Sequence, residues 1–296
     1  RANPTTYNIL NTTMMTTQDH PSRDAEVDAA SNRANPAPPR VALVTGAGRR
    51  IGRAIALGLA RAGWDVAVHY RASHDEALEV AAEIAALGRR ALTLQCDLSD
   101  EAAVRELLPR AIAALGPVRC VVNNASLFDY DSAADFTAAR LDAHMRANVA
   151  APILLSQALQ AATGGGLDGW EGGGEPATCI NLLDQKLYNL NPDFLSYTLS
   201  KAALHTATTM LAQQLAPAVR VVGVAPGITM VSGDQTEAGF ANAHQQTPLG
   251  RSSTPEDIAD SVVYAASARA MTGTTLLVDG GQHLMPLPRD VMFLAK

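Results

Sequence analysis

Seven short runs of aliphatic and β-branched residues punctuate the chain from residue 40 onward: VALVT (41–45), DVAVHY (65–70), RALTLQ (90–95), RCVVN (119–123), TCINLL (178–183), RVVGV (220–224) and TTLLV (274–278). Their near-continuous apolarity, in place of strict alternation, predicts strands buried on both faces. Between them lie alanine-rich stretches with helical periodicity, so the chain reads as repeated strand–helix–strand crossovers closing a parallel sheet. Two helix starts stand out: Ser73 with Glu76 reads as a capping box, and Thr254, Pro255 and Asp257 supply a cap, a first-turn proline and an acid. The expected fold class is α/β, a doubly wound seven-stranded parallel sheet forming one domain over residues 40–296.

Residues 1–39 break this pattern. They are rich in proline, asparagine, threonine and serine with almost no apolar periodicity, which predicts a disordered N-terminal tail. The glycine-dense stretch TGGGLDGWEGGGEP (163–176) leads into a strand rather than a helix, so it reads as a linker loop rather than a phosphate-binding turn.

Composition narrows the function. Of 296 residues, 23 are Lys or Arg and 29 are Asp or Glu, a net charge of -6, which disfavours a nucleic-acid partner. No apolar run of membrane-spanning length occurs, and the first residues lack the basic-then-apolar pattern of a signal peptide. The expectation is a cytoplasmic protein with no membrane partner. Cys96, Cys120 and Cys179 stand apart in apolar stretches and read as buried reduced thiols, and the seven histidines show no metal-ligand spacing, so no metal is expected. Trp64, Met210 and Phe240 read as packing residues.

The chemistry concentrates at strand ends. The first strand runs into TGAGRRIG (45–52) and then a helix, the arrangement that receives a pyrophosphate at a helix start and so predicts dinucleotide binding. Gly46 permits the turn and Gly52 close packing of helix on strand. The second strand ends His69, Tyr70, Arg71, Ala72, Ser73 without the carboxylate that would grip an unphosphorylated ribose. Arg71 and Ser73, with Arg49 assisting, are instead suited to a 2′-phosphate, which points to NADPH/NADP+. Asp97, after the third strand, can accept from an adenine amino group with Leu98 against the ring, or cap a helix. Asn123 and Asn124 close the fourth strand at the ligand-binding edge. Tyr197 and Lys201, four apart, share a helix face, where an ammonium would ease a phenol toward proton transfer.

Taken together, the glycine turn, Asn123-Asn124-Ala125, Asn148, Tyr197-x-x-x-Lys201 and Pro226-Gly227 resemble the short-chain dehydrogenase/reductase family over about residues 40–283. The resemblance implies a Rossmann fold and a homotetramer. Two departures are specific: Arg50 stands where the turn usually has glycine, and Asp184 stands 13 residues before Tyr197, where a serine is usual. With Ser126, Phe128 and the HYRAS run (69–73), these are similar to the pteridine reductases. That subgroup implies Asp184, Tyr197, Lys201 and Asn148 as the catalytic set. It implies cofactor contacts from Gly46, Arg49, Arg50, Ile51, His69, Tyr70, Arg71, Ser73, Asp97, Leu98, Asn124, Ala125, Ser126, Tyr197, Lys201, Pro226, Gly227, Ile228 and Thr229. A pterin substrate would meet Arg50, Ser126, Phe128, Asp184 and Tyr197, with Phe128 stacking on the ring and residues 229–250 acting as a lid. Two alternatives stand beside this reading: a carbonyl reductase that needs Tyr197 and Lys201 but can ignore Asp184, and an NADPH-binding protein without turnover.

Overall fold

In a computed structural model of the chain, the described residues are 40–164, 175–231, 236–245 and 247–294. The expected tail (1–39) and most of the expected loop (165–174) lie outside them. Each run named above forms a strand: β1 (Arg40–Val44), β2 (Trp64–Tyr70), β3 (Ala91–Gln95), β4 (Val118–Asn123), β5 (Ala177–Leu182), β6 (Val219–Pro226) and β7 (Thr275–Val278). All six neighbouring pairs are parallel, in the order β3-β2-β1-β4-β5-β6-β7.

The helices are α1 (Arg50–Arg61), α2 (His74–Ala86), α3 (Glu101–Leu115), α4 (Ala138–Met145), α5 (Ala151–Ala162), α6 (Leu195–Leu215), α7 (Glu237–Gln245), α8 (Pro255–Ser267) and α9 (Val291–Leu294). The apolar strands serve two cores. Ala42, Val44, Val66, Val68 and Val122 face a layer containing Ile55, Leu59, Ile84 and Ile258, from α1, α2 and α8. Val41, Leu43, Ala67 and Val121 face Val104, Leu107, Leu155 and Leu215, from α3, α5 and α6. Because successive side chains point to opposite faces, only continuous apolarity satisfies both layers.

Several local expectations change. Thr254 and Asp257 form the expected capping box on α8. Ser73 occupies the N-cap of α2 without a side-chain capping bond, and Glu76 turns to Arg49 at 3.6 Å instead. Trp64 is buried, but Met210 is 62% exposed on the outer side of α6 and is not a core residue. Within 229–250, where sequence shows little regular pattern, the chain forms α7.

From β1 the chain winds toward β3, and from β4 toward β7, so the switch point lies between β1 and β4. Ligands of open α/β sheets bind at the carboxyl ends of strands flanking such a point.

Candidate active site

A cleft of about 680 Å³ opens over the carboxyl ends of β1, β2, β4, β5 and β6. Its lining includes the residues expected at the site except Asn148 and Asn123, the latter buried with its Nδ2 donating to Asn181 Oδ1 at 2.8 Å. Asn148 lies buried in a π turn (Arg146–Ala150) joining α4 to α5. Its Oδ1 accepts from the Leu127 amide at 2.7 Å, while its Nδ2 donates to the Leu127 carbonyl at 2.9 Å and to Ser200 Oγ at 3.0 Å. Asn148 therefore fastens the loop after β4 to α6 and presents Phe128 to the cleft.

The glycine turn is shaped from below. Gly46 takes φ +63°, and a Cβ there would stand 3.1 Å from Ala125; a Cβ on Gly52 would overlap the Gly46 carbonyl. Thr45 Oγ1 accepts from the amides of Asn124 and Ala125, and Asn124 Nδ2 donates to the Thr45 carbonyl at 2.9 Å, which ties the turn to β4. His69, expected at the cofactor, lines the cleft and also braces the turn. Its ring is buried, with Nδ1 accepting from the Gly46 amide at 3.0 Å and Nε2 against the Cys96 carbonyl at 3.1 Å. An acceptor at Nδ1 requires the proton on Nε2, and burial holds the pKa down to about 4, so the imidazole stays neutral.

Arg50 takes φ 54°, in the left-handed region that favours glycine. Its Nη1 donates to the Val231 carbonyl at 2.9 Å, reaching across the cleft mouth. At the far end, Arg71 and Ser73 follow β2 and line the cleft with Arg49, Asp97 and Leu98. Asp97 accepts from the Ser99 amide and hydroxyl, each at 2.8 Å, which holds its carboxyl below the usual range. Capping of α3 falls to Asp100 instead. A cradle with no room for a Cβ, a helix start behind it and cationic side chains beyond it fit a phosphorylated dinucleotide.

At the other end, Tyr197 Oη donates to Asp184 Oδ2 at 2.7 Å, and Asp184 Oδ1 accepts from the Lys186 amide at 2.8 Å. Burial raises the Asp184 carboxyl above the ordinary carboxylate range. Sequence alone suggested that Lys201 would ease the Tyr197 phenol toward ionisation. Here burial, reinforced by Asp184, pushes the phenol well above its ordinary value. Lys201 donates to the Leu182 carbonyl at 2.7 Å, with Nζ 5.7 Å from the Tyr197 ring centre, and burial lowers its pKa to about 8. The aromatic edge of the site is Phe128, stacked on Phe194 at 4.4 Å and edge-on to Tyr197 at 4.7 Å. Phe194 itself takes φ 55° at the start of α6, where buried Asp131 receives the Ser196 amide and hydroxyl. Ser126 is exposed at the cleft, its hydroxyl donating to the Leu127 carbonyl at 3.2 Å.

Sequence reasoning missed one wall. Lys186, Asn189 and Asn191, together with Leu287, Asp290, Val291 and Met292, also line the cleft. Only the nearness of Lys186 to Asp184 in the chain signalled any of them. Cys96, Cys120 and Cys179 are free and buried. Among the described residues, no group of three or more His, Cys, Asp or Glu side chains is placed to hold a metal ion, and no helix is long and apolar enough to cross a membrane.

A doubly wound sheet with a glycine turn at its switch point and a Tyr–Lys pair across the cleft defines a dinucleotide-dependent oxidoreductase class. The profile of the family described as enoyl-(acyl carrier protein) reductase matches residues 46–283. An uncharacterized oxidoreductase of Methylorubrum extorquens is 35% identical over 251 residues, covering 82% of this chain and 97% of that one. An L-rhamnose 1-dehydrogenase (NAD(P)(+)) of a Sphingomonas species is 32% identical over 254 residues, covering 83% and 96%. The crystal structure of FolM alternative dihydrofolate reductase 1 from Brucella canis, complexed with NADP, superposes with a TM-score of 0.75 at 37% identity, covering 83% and 95%. The chain belongs to the short-chain dehydrogenase/reductase family and is an oxidoreductase of that family.

Proposed function

We propose that the protein is an NADPH-dependent reductase of pterins, taking dihydropterin, and within the same class dihydrofolate, to the tetrahydro form. The observation that carries this reading is the Asp184–Tyr197 pair, 2.7 Å apart, in a cleft that also presents Phe128. Reducing a ring C=N bond requires a proton at nitrogen, and a carboxyl raised by burial and bonded to the Tyr197 hydroxyl suits that task. A simple ketone needs only the tyrosine, so a carboxyl in place of the family's serine favours the pterin. The NADP complex of the Brucella protein, 37% identical, supports the same reading.

The cofactor, when bound, supplies the hydride. The turn at Gly46 and the start of α1 would hold its diphosphate, with Arg71, Ser73 and Arg49 on the 2′-phosphate and Lys201 on the ribose. Asp184 is fixed at Oδ1 by the Lys186 amide, so the proton it shares with Tyr197 is held at one place. Tyr197 and Asp184 together give that proton to the ring nitrogen and regain one from solvent. Phe128, backed by Phe194, offers a flat face to the bicycle, an arrangement worth about 0.5–1.5 kcal/mol beyond burial.

The test is NADPH oxidation measured in parallel with dihydromonapterin, dihydrobiopterin, dihydrofolate and a panel of ketones and quinones. The dihydropterins are expected to give the highest kcat/KM. Turnover of carbonyl compounds alone would replace this reading with the carbonyl-reductase one.

A further inference from the structure

We infer that the carboxy-terminal segment is a fixed wall of the substrate pocket and that Asp290, which it carries, is a positioning residue that acts on Asp184 through Lys186. The inference rests on the proposed role of Asp184 as proton donor.

The segment is latched to one buried carboxylate. Asp193, just before α6, accepts from Arg289 Nη2 at Oδ1 (2.7 Å), from Arg289 Nε at Oδ2 (2.8 Å) and from the Asp290 amide at Oδ2 (2.7 Å). Two consecutive residues are thereby pinned about a hundred positions downstream of their anchor. A bidentate guanidinium–carboxylate contact fixes orientation as well as distance. The latch sets Leu287, Asp290, Val291 and Met292 against the cleft.

From Asp290 a short path leads to Asp184. Asp290 Oδ2 accepts from Lys186 Nζ at 3.3 Å, and its Oδ1 accepts from the Met292 amide at 3.2 Å. The Lys186 ammonium, almost fully buried, also donates to the Asp193 carbonyl at 2.6 Å, while the Lys186 amide holds Asp184 Oδ1. A buried ammonium needs a counter-ion, and Asp290 is the carboxylate that meets it. The groups facing Asp184 are Tyr197 and Lys201 from α6, Lys186 from its own turn and Asp290 from the carboxy-terminal segment. With Asp290 ionised, the Lys186 charge is neutralised and a negative charge faces Asp184. Both effects oppose ionisation of Asp184, in the same direction as its burial. Without Asp290, the negative charge facing Asp184 is lost and Asp193 alone remains to balance the Lys186 ammonium, which favours the Asp184 carboxylate.

The test is a ¹³C carboxyl titration of the full chain without cofactor, the Asp184 signal being assigned by its loss in Asp184→Asn. Asp290→Asn is expected to lower the Asp184 midpoint by about one pH unit and Asp290→Glu to restore it. Arg289→Gln, which loosens the latch at the surface, is expected to move the midpoint the same way and serves if Asp290→Asn does not fold. An unmoved or raised midpoint in the folded variants overturns the inference. Because the titration needs no turnover, a wild type inactive on every pterin would defeat the proposed function while leaving this result to be read on its own.

Discussion

Arg50 carries a side chain at a backbone position that favours glycine, and comparing two truncations isolates what this costs. At φ 54° a residue with a Cβ crowds its own carbonyl, a penalty of about 1–2 kcal/mol that glycine escapes. Glycine gives back about 0.4–1 kcal/mol through the greater freedom of the unfolded chain. Arg50→Gly and Arg50→Ala both lose the guanidinium and its bond to Val231, so those losses cancel between them. The glycine variant should therefore be more stable than the alanine variant by about 1 kcal/mol, or about 2–4 °C in Tm for a domain of this size. Thermal unfolding followed by circular dichroism reads the difference, and pterin KM, expected to rise equally in both, reads the shared loss of the side chain. An alanine variant as stable as the glycine variant would refute the strain argument. Equal stability with pterin KM unchanged in both would also remove Arg50 from the substrate site.

Arg71→Ala should narrow the preference for NADPH over NADH by weakening NADPH alone, by about 10- to 150-fold, because a charge-assisted contact to a phosphate contributes about 1.5–3 kcal/mol; fluorescence titration with both cofactors checks this. Phe128→Ala should raise pterin KM while leaving NADPH affinity and Tm near wild type, the ring being 42% exposed, whereas a sharp fall in Tm with unchanged KM would make it a core residue. His69→Leu removes an acceptor from the Gly46 amide and a donor from the Cys96 carbonyl, so unfolding free energy should fall by about 1–3 kcal/mol together with NADPH affinity; a loss of affinity with stability intact would restore a direct cofactor contact. Lys201 is an ammonium below about 8 and loses its charge above it, so NADPH affinity should weaken as pH rises through that value and lie flat in Lys201→Met.

The seven strands were legible because each must be apolar on both faces: Val121 and Val122, adjacent in β4, serve opposite cores. The residues of the glycine turn and the Tyr–Lys pair were legible because they are local motifs at strand or helix ends. What escaped was contact between distant parts of the chain. Glu76 left its capping position for Arg49, a choice that depends on how α2 lies against the turn. Met210 repeats with its helix yet points outward, on the face opposite the buried Leu204, Thr208, Ala212 and Leu215. His69 reads as one more polar group at a strand end, and only the approach of Gly46 and Cys96 shows that it braces the turn. The Asp193–Arg289 latch joins residues 96 apart, and no periodicity in either segment announces it.

The central claim is that Asp184 and Tyr197 together deliver the proton to a pterin, and single-turnover reduction of a dihydropterin by the NADPH-loaded wild type and Asp184→Asn tests it most directly. The amide keeps the size and polarity of the acid but holds no exchangeable carboxyl proton. Reduction in Asp184→Asn should slow by about 10²-fold, the usual loss on removing a general acid, with NADPH affinity unchanged. An Asp184→Asn enzyme that reduces the pterin as fast as the wild type would contradict the account and leave Tyr197 as the sole proton donor.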